Sequence, residues 1–230
     1  MHLGLKDIVP IAMNIDGKLI MVKDEVKLLG VTIDCKLSFS PHSKSLCTTA
    51  NNKISALIRH RNFMTFSQAT VLFNAYILSK FLYCPLIWMF CSKGDMKLIN
   101  RTHKRALRAV SNDFTLDMPE LLVQNKGSTI HVLHLRVLMT EVYKSLKKVN
   151  PEIMWKVFKP KQTSVNLRGQ LLVKLPPCKT VTYGTNSLVF NASIMWNALP
   201  NKFKCLQSVS LFKNHIKEWE GSSCTCNLCK

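Results

Sequence analysis

Acidic side chains are scarce in this chain: 13 Asp plus Glu stand against 32 Lys plus Arg in 230 residues, a formal charge of +19 at pH 7. Such an excess repels itself, and it makes sense when a polyanion sits against the surface. Nucleic acid is the first reading, an anionic membrane surface the second, and a basic structural piece without a ligand the third. No signal-peptide pattern is expected from the opening residues, because "MHLGLKDIVPIAM" places Asp7 and Pro10 where such a peptide is apolar. Internal repeats and low-complexity tracts are lacking too, which excludes solenoid and fibrous designs.

Apolar residues are plentiful. At 47% they exclude a disordered chain, and the length suits one large domain or two small ones. The nine cysteines are an odd number scattered through apolar and loop contexts, which points to a reducing intracellular setting, cytoplasmic or nuclear. Residues 69–91, "ATVLFNAYILSKFLYCPLIWMFC", are long enough to span a bilayer. Central Asn74 and Lys80 oppose that, a central Lys costing about 2.5–3.5 kcal/mol on insertion. The run reads instead as a long buried helix, opened by a Thr65/Gln68 capping box and broken near Pro85. A spanning helix stays as the alternative.

Read along the chain, Asp16-Gly17 between apolar runs predicts a hairpin, and "EVKLLGVTID" a third strand with a bulge or close approach at Gly30. From Ser43 the apolar period becomes helical through Leu46, Ala50, Ile54 and Leu57, ending at the basic Arg59-His60-Arg61. Over residues 92–113, Lys93, Lys97, Arg101, Lys104, Arg105 and Arg108 share an arc of about 120°, with Met96, Ile99, Leu107 and Val110 opposite. That cationic face would run about 25 Å. A short helix begins near Pro119, and Ser128 is placed to cap another that stops ahead of Pro151. The expected fold is mainly α, a helical bundle behind a small N-terminal antiparallel β-meander. Its expected divisions are the meander (1–42), the helical domain (43–115), a helical extension (116–158), a linker or extended arm (159–184), and a helical tail with a cysteine cluster (185–230).

Three stretches carry a resemblance: "VKLLGVTIDCKLSFSPH", "LSKFLYCPLIWMFCSKGDMKLINRTHKRALRAVSN" and "YGTNSLVFNASIMWNALPNKFKCLQSVSLFKNHIKEW". In this order they resemble the carboxy-terminal portion of a reverse transcriptase from a non-LTR (LINE, jockey-like) retrotransposon: the strand and turn after the palm, the thumb, and the tail. The resemblance implies a thumb that grips primer–template along its backbone, with RNA or an RNA–DNA or DNA duplex as partner and no small-molecule substrate. It also implies where catalysis would lie. Polymerase chemistry needs carboxylates holding two Mg²⁺ ions, which the family supplies from an Asp-Asp turn ahead of the "LGV" strand. This chain has no adjacent aspartates, and Asp7, Asp16, Asp24 and Glu25 are spaced as turn and loop residues. The expectation is a fragment without its palm, non-catalytic and without a cofactor of its own, that binds nucleic-acid backbone non-specifically. A ligand-free helical interaction module is the remaining alternative.

Other constellations are weaker. Cys224, Cys226 and Cys229 offer zinc one C-x₂-C half-site, with Cys205 or His215 as a fourth ligand that spacing does not single out. The alternative is an exposed thiol-rich tail. His131 and His134 read as ordinary core or surface histidines. Phe73, Tyr76, Phe81, Tyr83 and Trp88 read as core rather than base-stacking residues. Arg59 and Arg61 either extend the phosphate-binding face or cap a helix. Lys80 reads as a snorkelling side chain, and Cys47 and Cys84 as inert structural thiols.

Overall fold

A computed structural model describes residues 13–21, 23–161, 171–222, 224, 226, 228 and 229. The chain is mainly α-helical and forms two compact units, Met1–Cys84 with Cys91–Gly127, and Pro85–Phe90 with Ser128–Lys230.

The first unit opens on two hairpins. Asp16 (φ 50°) and Gly17 (φ 76°) supply the positive angles of a type I′ turn between β1 (Met13–Ile15) and β2 (Lys18–Ile20). The stretch expected as one strand is itself a hairpin: β3 (Glu25–Leu28) turns through Leu29 (φ 47°) and Gly30 (φ 87°) into β4 (Val31–Asp34). Gly30 is therefore a turn residue and not a bulge. Among the described residues, two separate two-stranded sheets stand in place of the expected three-stranded meander.

Asp34 organises the turn that leads into the first helix. Its carboxylate accepts the backbone N–H groups of Ser38 (3.1 Å) and Phe39 (2.7 Å) and the Ser38 hydroxyl (2.9 Å). These bonds hold Leu37 (φ 53°) and Phe39 (φ 55°) at left-handed angles that cost about 1 kcal/mol or more each. Burial would raise the Asp34 pKa, but these bonds outweigh it and hold the carboxyl below its ordinary value. From this turn starts α1 (Ser40–His60), three residues ahead of Ser43, with Pro41 in its first turn.

Helix α2 (Phe66–Leu72) begins at the predicted box, the Thr65 hydroxyl accepting the Gln68 N–H and the Gln68 amide oxygen accepting that of Thr65. It widens to π-helical turns over Phe73–Leu78 and closes at Ser79–Phe81. The apolar run is thus divided, and among the described residues no helix is long and apolar enough to cross a membrane. Helix α3 (Lys93–Ser111) packs on α1, and Ile99, Ala106, Leu107 and Val110 of the one and Ala50, Ile54 and Leu57 of the other are all buried. Buried Asp95 takes hydrogen bonds from Ser92 (2.6 Å) and Ser40 (2.9 Å), tying the starts of both helices together. Helix α4 (Met118–Gln124) stands behind an Asp117/Glu120 capping box.

The second unit is built on α5 (Ile130–Leu146), capped by Thr129 one residue after the expected Ser128. Its Leu135, Leu138, Met139, Val142 and Tyr143 are buried with Met89, Phe158 and Val173, with Met195 and Trp196 of α6 (Leu188–Ala198), and with Phe212 of α7 (Val209–His215). Tyr143 stacks on Phe212 at 4.4 Å and donates its hydroxyl to the Leu206 carbonyl at 2.6 Å. The expected extended arm contributes to this core where it is described: Val173 is buried, pairs with Pro160 and exchanges two hydrogen bonds with the Asn197 side chain.

Candidate functional site

The six cations predicted on α3 do not share one fate. Lys93, Lys97 and Arg101 face solvent. Arg105 instead reaches α1, donating to the Asn51 side chain (2.7 Å) and to Ser55 (3.0 Å). Arg108 donates twice to the Leu116 carbonyl (3.0 and 2.8 Å), and Lys104 pairs with Asp117 at 2.7 Å. Arg59 is exposed, whereas Arg61 donates to the Val110 carbonyl in the last turn of α3 (2.9 Å) and to Met64 (2.7 Å). Arg61 therefore does cap a helix end, that of a neighbouring helix. Lys104, Arg105, Arg108 and Arg61 are thus engaged in holding the fold.

A second cationic surface lies between the β3–β4 hairpin, α1 and the end of the π-helical segment. A groove of about 540 Å³ is walled by Lys27, Lys80, His42, Ser45, Thr49, Ser79, Thr32 and Tyr83, with Gly30 and Leu46 completing it. No acid lines it. Burial and then the Lys27 charge hold His42 below its ordinary pKa, so it is neutral at pH 7, and its Nδ1 accepts the Thr32 N–H at 3.3 Å. Tyr83 spans the rim, donating its hydroxyl to the Leu29 carbonyl at 2.7 Å. Of the aromatics expected in the core, Phe73, Phe81 and Trp88 are buried, but Tyr76 and Tyr83 are 56% and 50% exposed. The π-helical turns re-aim the first and the chain's turn toward Pro85 re-aims the second. Cys47 is buried with its thiol raised by that burial, and Cys91 is pushed up to about 12 by burial and then by the Asp95 charge, so neither is a nucleophile.

In the second unit the Cys224, Cys226 and Cys229 thiols gather around His131, near the start of α5, and not around Cys205 or His215. His131 Nε2 lies 3.7 Å from Cys224 Sγ and 3.5 Å from Cys226 Sγ, and the Cys226 and Cys229 sulfurs are 3.8 Å apart. The Cys224 thiol, with His131 adding to it, holds Cys226 below the ordinary thiol range despite burial. The approach is set by Arg136, which donates to the Trp219 carbonyl at 2.9 Å, and by Gly221. Gly221 has φ of 74°, and a Cβ there would lie 2.9 Å from Leu135 Cδ1. Gly221→Ala is expected to destabilise this unit by about 1–2 kcal/mol, read as a lower urea midpoint at unchanged slope. Spacing alone does not single out His131, because its partners lie more than ninety residues later and no i,i+3 or i,i+4 signal marks it.

Helix-rich, strongly cationic, with a short hairpin lying over a hydroxyl-lined groove, the chain matches no family model and no solved structure. A curated relative is nonetheless recognisable. Over 132 residues, 55% of this chain, it is 25% identical to the probable RNA-directed DNA polymerase from transposon BS of Drosophila melanogaster. The match covers 14% of that protein's length. A distant relationship to a transposon RNA-directed DNA polymerase is what this supports.

Proposed function

We propose that this chain is the post-palm, thumb-and-tail part of a non-LTR retrotransposon reverse transcriptase, and that its first unit holds RNA or primer–template duplex by the backbone without reading sequence. The groove walled by Lys27 and Lys80 and lined by the hydroxyls of Thr32, Ser45, Thr49 and Ser79 carries the reading. Lys97, Arg101 and Arg59 add exposed charge on the same unit. Hydroxyls and ammonium groups suit phosphate oxygens, and such contacts position a duplex rather than specify its bases. Catalysis, with its Mg²⁺ ions, belongs in this reading to carboxylates outside this chain. The similarity to a transposon polymerase supports the assignment, and the division of the 69–91 run disfavours the membrane alternative.

Four phosphate contacts would give a log–log salt slope of about −4, so affinity falls about 100-fold between 50 and 200 mM salt. In fluorescence anisotropy with a primer–template, the combined change Lys27→Glu, Lys80→Glu, Lys97→Glu and Arg101→Glu is expected to weaken binding more than about 100-fold and flatten that slope. Binding that survives those four reversals would remove the proposed surface.

A further inference from the structure

The thiols and imidazole of the second unit have no part in that reading. We propose that His131, Cys224, Cys226 and Cys229 bind one zinc ion as a tetrahedral Cys₃His site that fastens the three cysteines onto α5.

Distances carry the proposal. Zn–S bonds near 2.3 Å and Zn–N bonds near 2.0–2.1 Å, set at tetrahedral angles, separate sulfur from sulfur by about 3.8 Å and sulfur from nitrogen by about 3.6 Å. The Cys226–Cys229 sulfurs are 3.8 Å apart, and His131 Nε2 stands 3.5 and 3.7 Å from Cys226 and Cys224. All four donor atoms lie within 4.8 Å of one another. A disulfide would need its sulfurs at about 2.05 Å, and a multi-iron cluster interposes several atoms between its cysteines and spreads them further. The spacing therefore fits a single ion.

The chemistry agrees with the spacing. Three thiolates and a neutral imidazole are the ligands of a closed structural zinc site, and they leave one net negative charge in a chain of formal charge +19. His131 and Cys226 are buried while Cys229 is exposed, so an ion can enter from the rim. The backbone supports the ligands: Cys224 N–H donates to the Gly221 carbonyl (2.9 Å) and Cys229 N–H to that of Cys226 (3.0 Å). The histidine's far side sets the strength. With Nε2 on the metal the ring proton sits on Nδ1, which is buried and makes no hydrogen bond among the described residues. Lacking that outer partner, the site binds about 10–100-fold more weakly than one that has it.

The test uses the full chain, purified without chelator. Elemental analysis is expected to find one zinc per chain. Replacement by Co²⁺ should give the intense red-region absorption of a tetrahedral thiolate complex, with thiolate-to-metal charge transfer in the near ultraviolet. Cys226→Ser should lower affinity by more than about 100-fold, beyond the loss of an outer-shell partner. His131→Cys, which keeps four ligands, should hold Co²⁺ with stronger charge transfer, an outcome that a merely structural His131 would not produce. Cys205→Ser and His215→Ala should change nothing. A folded chain that takes up neither ion, or that keeps the cobalt spectrum in His131→Ala, overturns the site. Should the buried Cys226→Ser fail to fold, the exposed Cys229→Ser serves as a second loss-of-ligand variant, and retention of the tetrahedral spectrum there also overturns it.

Discussion

Trp196→Ala is expected to destabilise the second unit by about 4–6 kcal/mol. Trp196 is fully buried, lies 6.1 Å from Phe212 and 6.5 Å from Tyr143 by ring centroid, and donates its indole N–H to the Leu171 carbonyl at 2.7 Å. Removing a core Trp costs about 3–5 kcal/mol, and leaving a carbonyl unpaired adds about 1 kcal/mol or more. Against a total stability of about 5–15 kcal/mol, the variant is marginal or unfolded. The remaining tryptophans, Trp88, Trp155 and Trp219, all belong to this unit, so fluorescence in urea reports on it alone. A shift below about 1 kcal/mol would show that Trp196 is not the centre of that core.

Acid should weaken the first unit through His103. This ring is buried in α3, stacked on Phe73 with centroids 6.0 Å apart, and desolvation lowers its pKa to about 4. Between pH 6.5 and 4 the unfolded chain takes up a proton that the folded one refuses. Stability is therefore full above pH 6.5 and falls as pH drops toward 4, by roughly 3 kcal/mol if the whole shift is realised. The Asp34 carboxylate, with its pKa held low, gives stability that is lost at still lower pH, as it protonates. His103→Phe removes the titrating ring while keeping an aromatic partner for Phe73. Urea midpoints tracked by helical circular dichroism across pH 4–7 should show a flatter dependence in the variant. An identical dependence would assign the acid sensitivity to other groups.

The features legible in the chain are local ones. Thr65 and Gln68 are three residues apart, so their capping box is written in the sequence itself, as is the Asp16-Gly17 turn. The two faces of α3 are equally plain, because one helix sets both. The fate of its arginines is not, since Asn51 and Ser55 lie on another helix and Leu116 beyond a turn. Leu29-Gly30 hides a hairpin because a leucine stands where Asn or Asp usually marks one. The Cys/His cluster is half legible: three cysteines announce themselves, and their histidine does not.

Helix α5 is clasped by segments made long after it. Phe212 covers Tyr143, and the Trp219 carbonyl satisfies Arg136. During synthesis its greasy flank must therefore wait, bare, while some seventy further residues leave the ribosome. At about 5–20 residues per second that interval lasts several seconds, long enough for a chaperone to find it first.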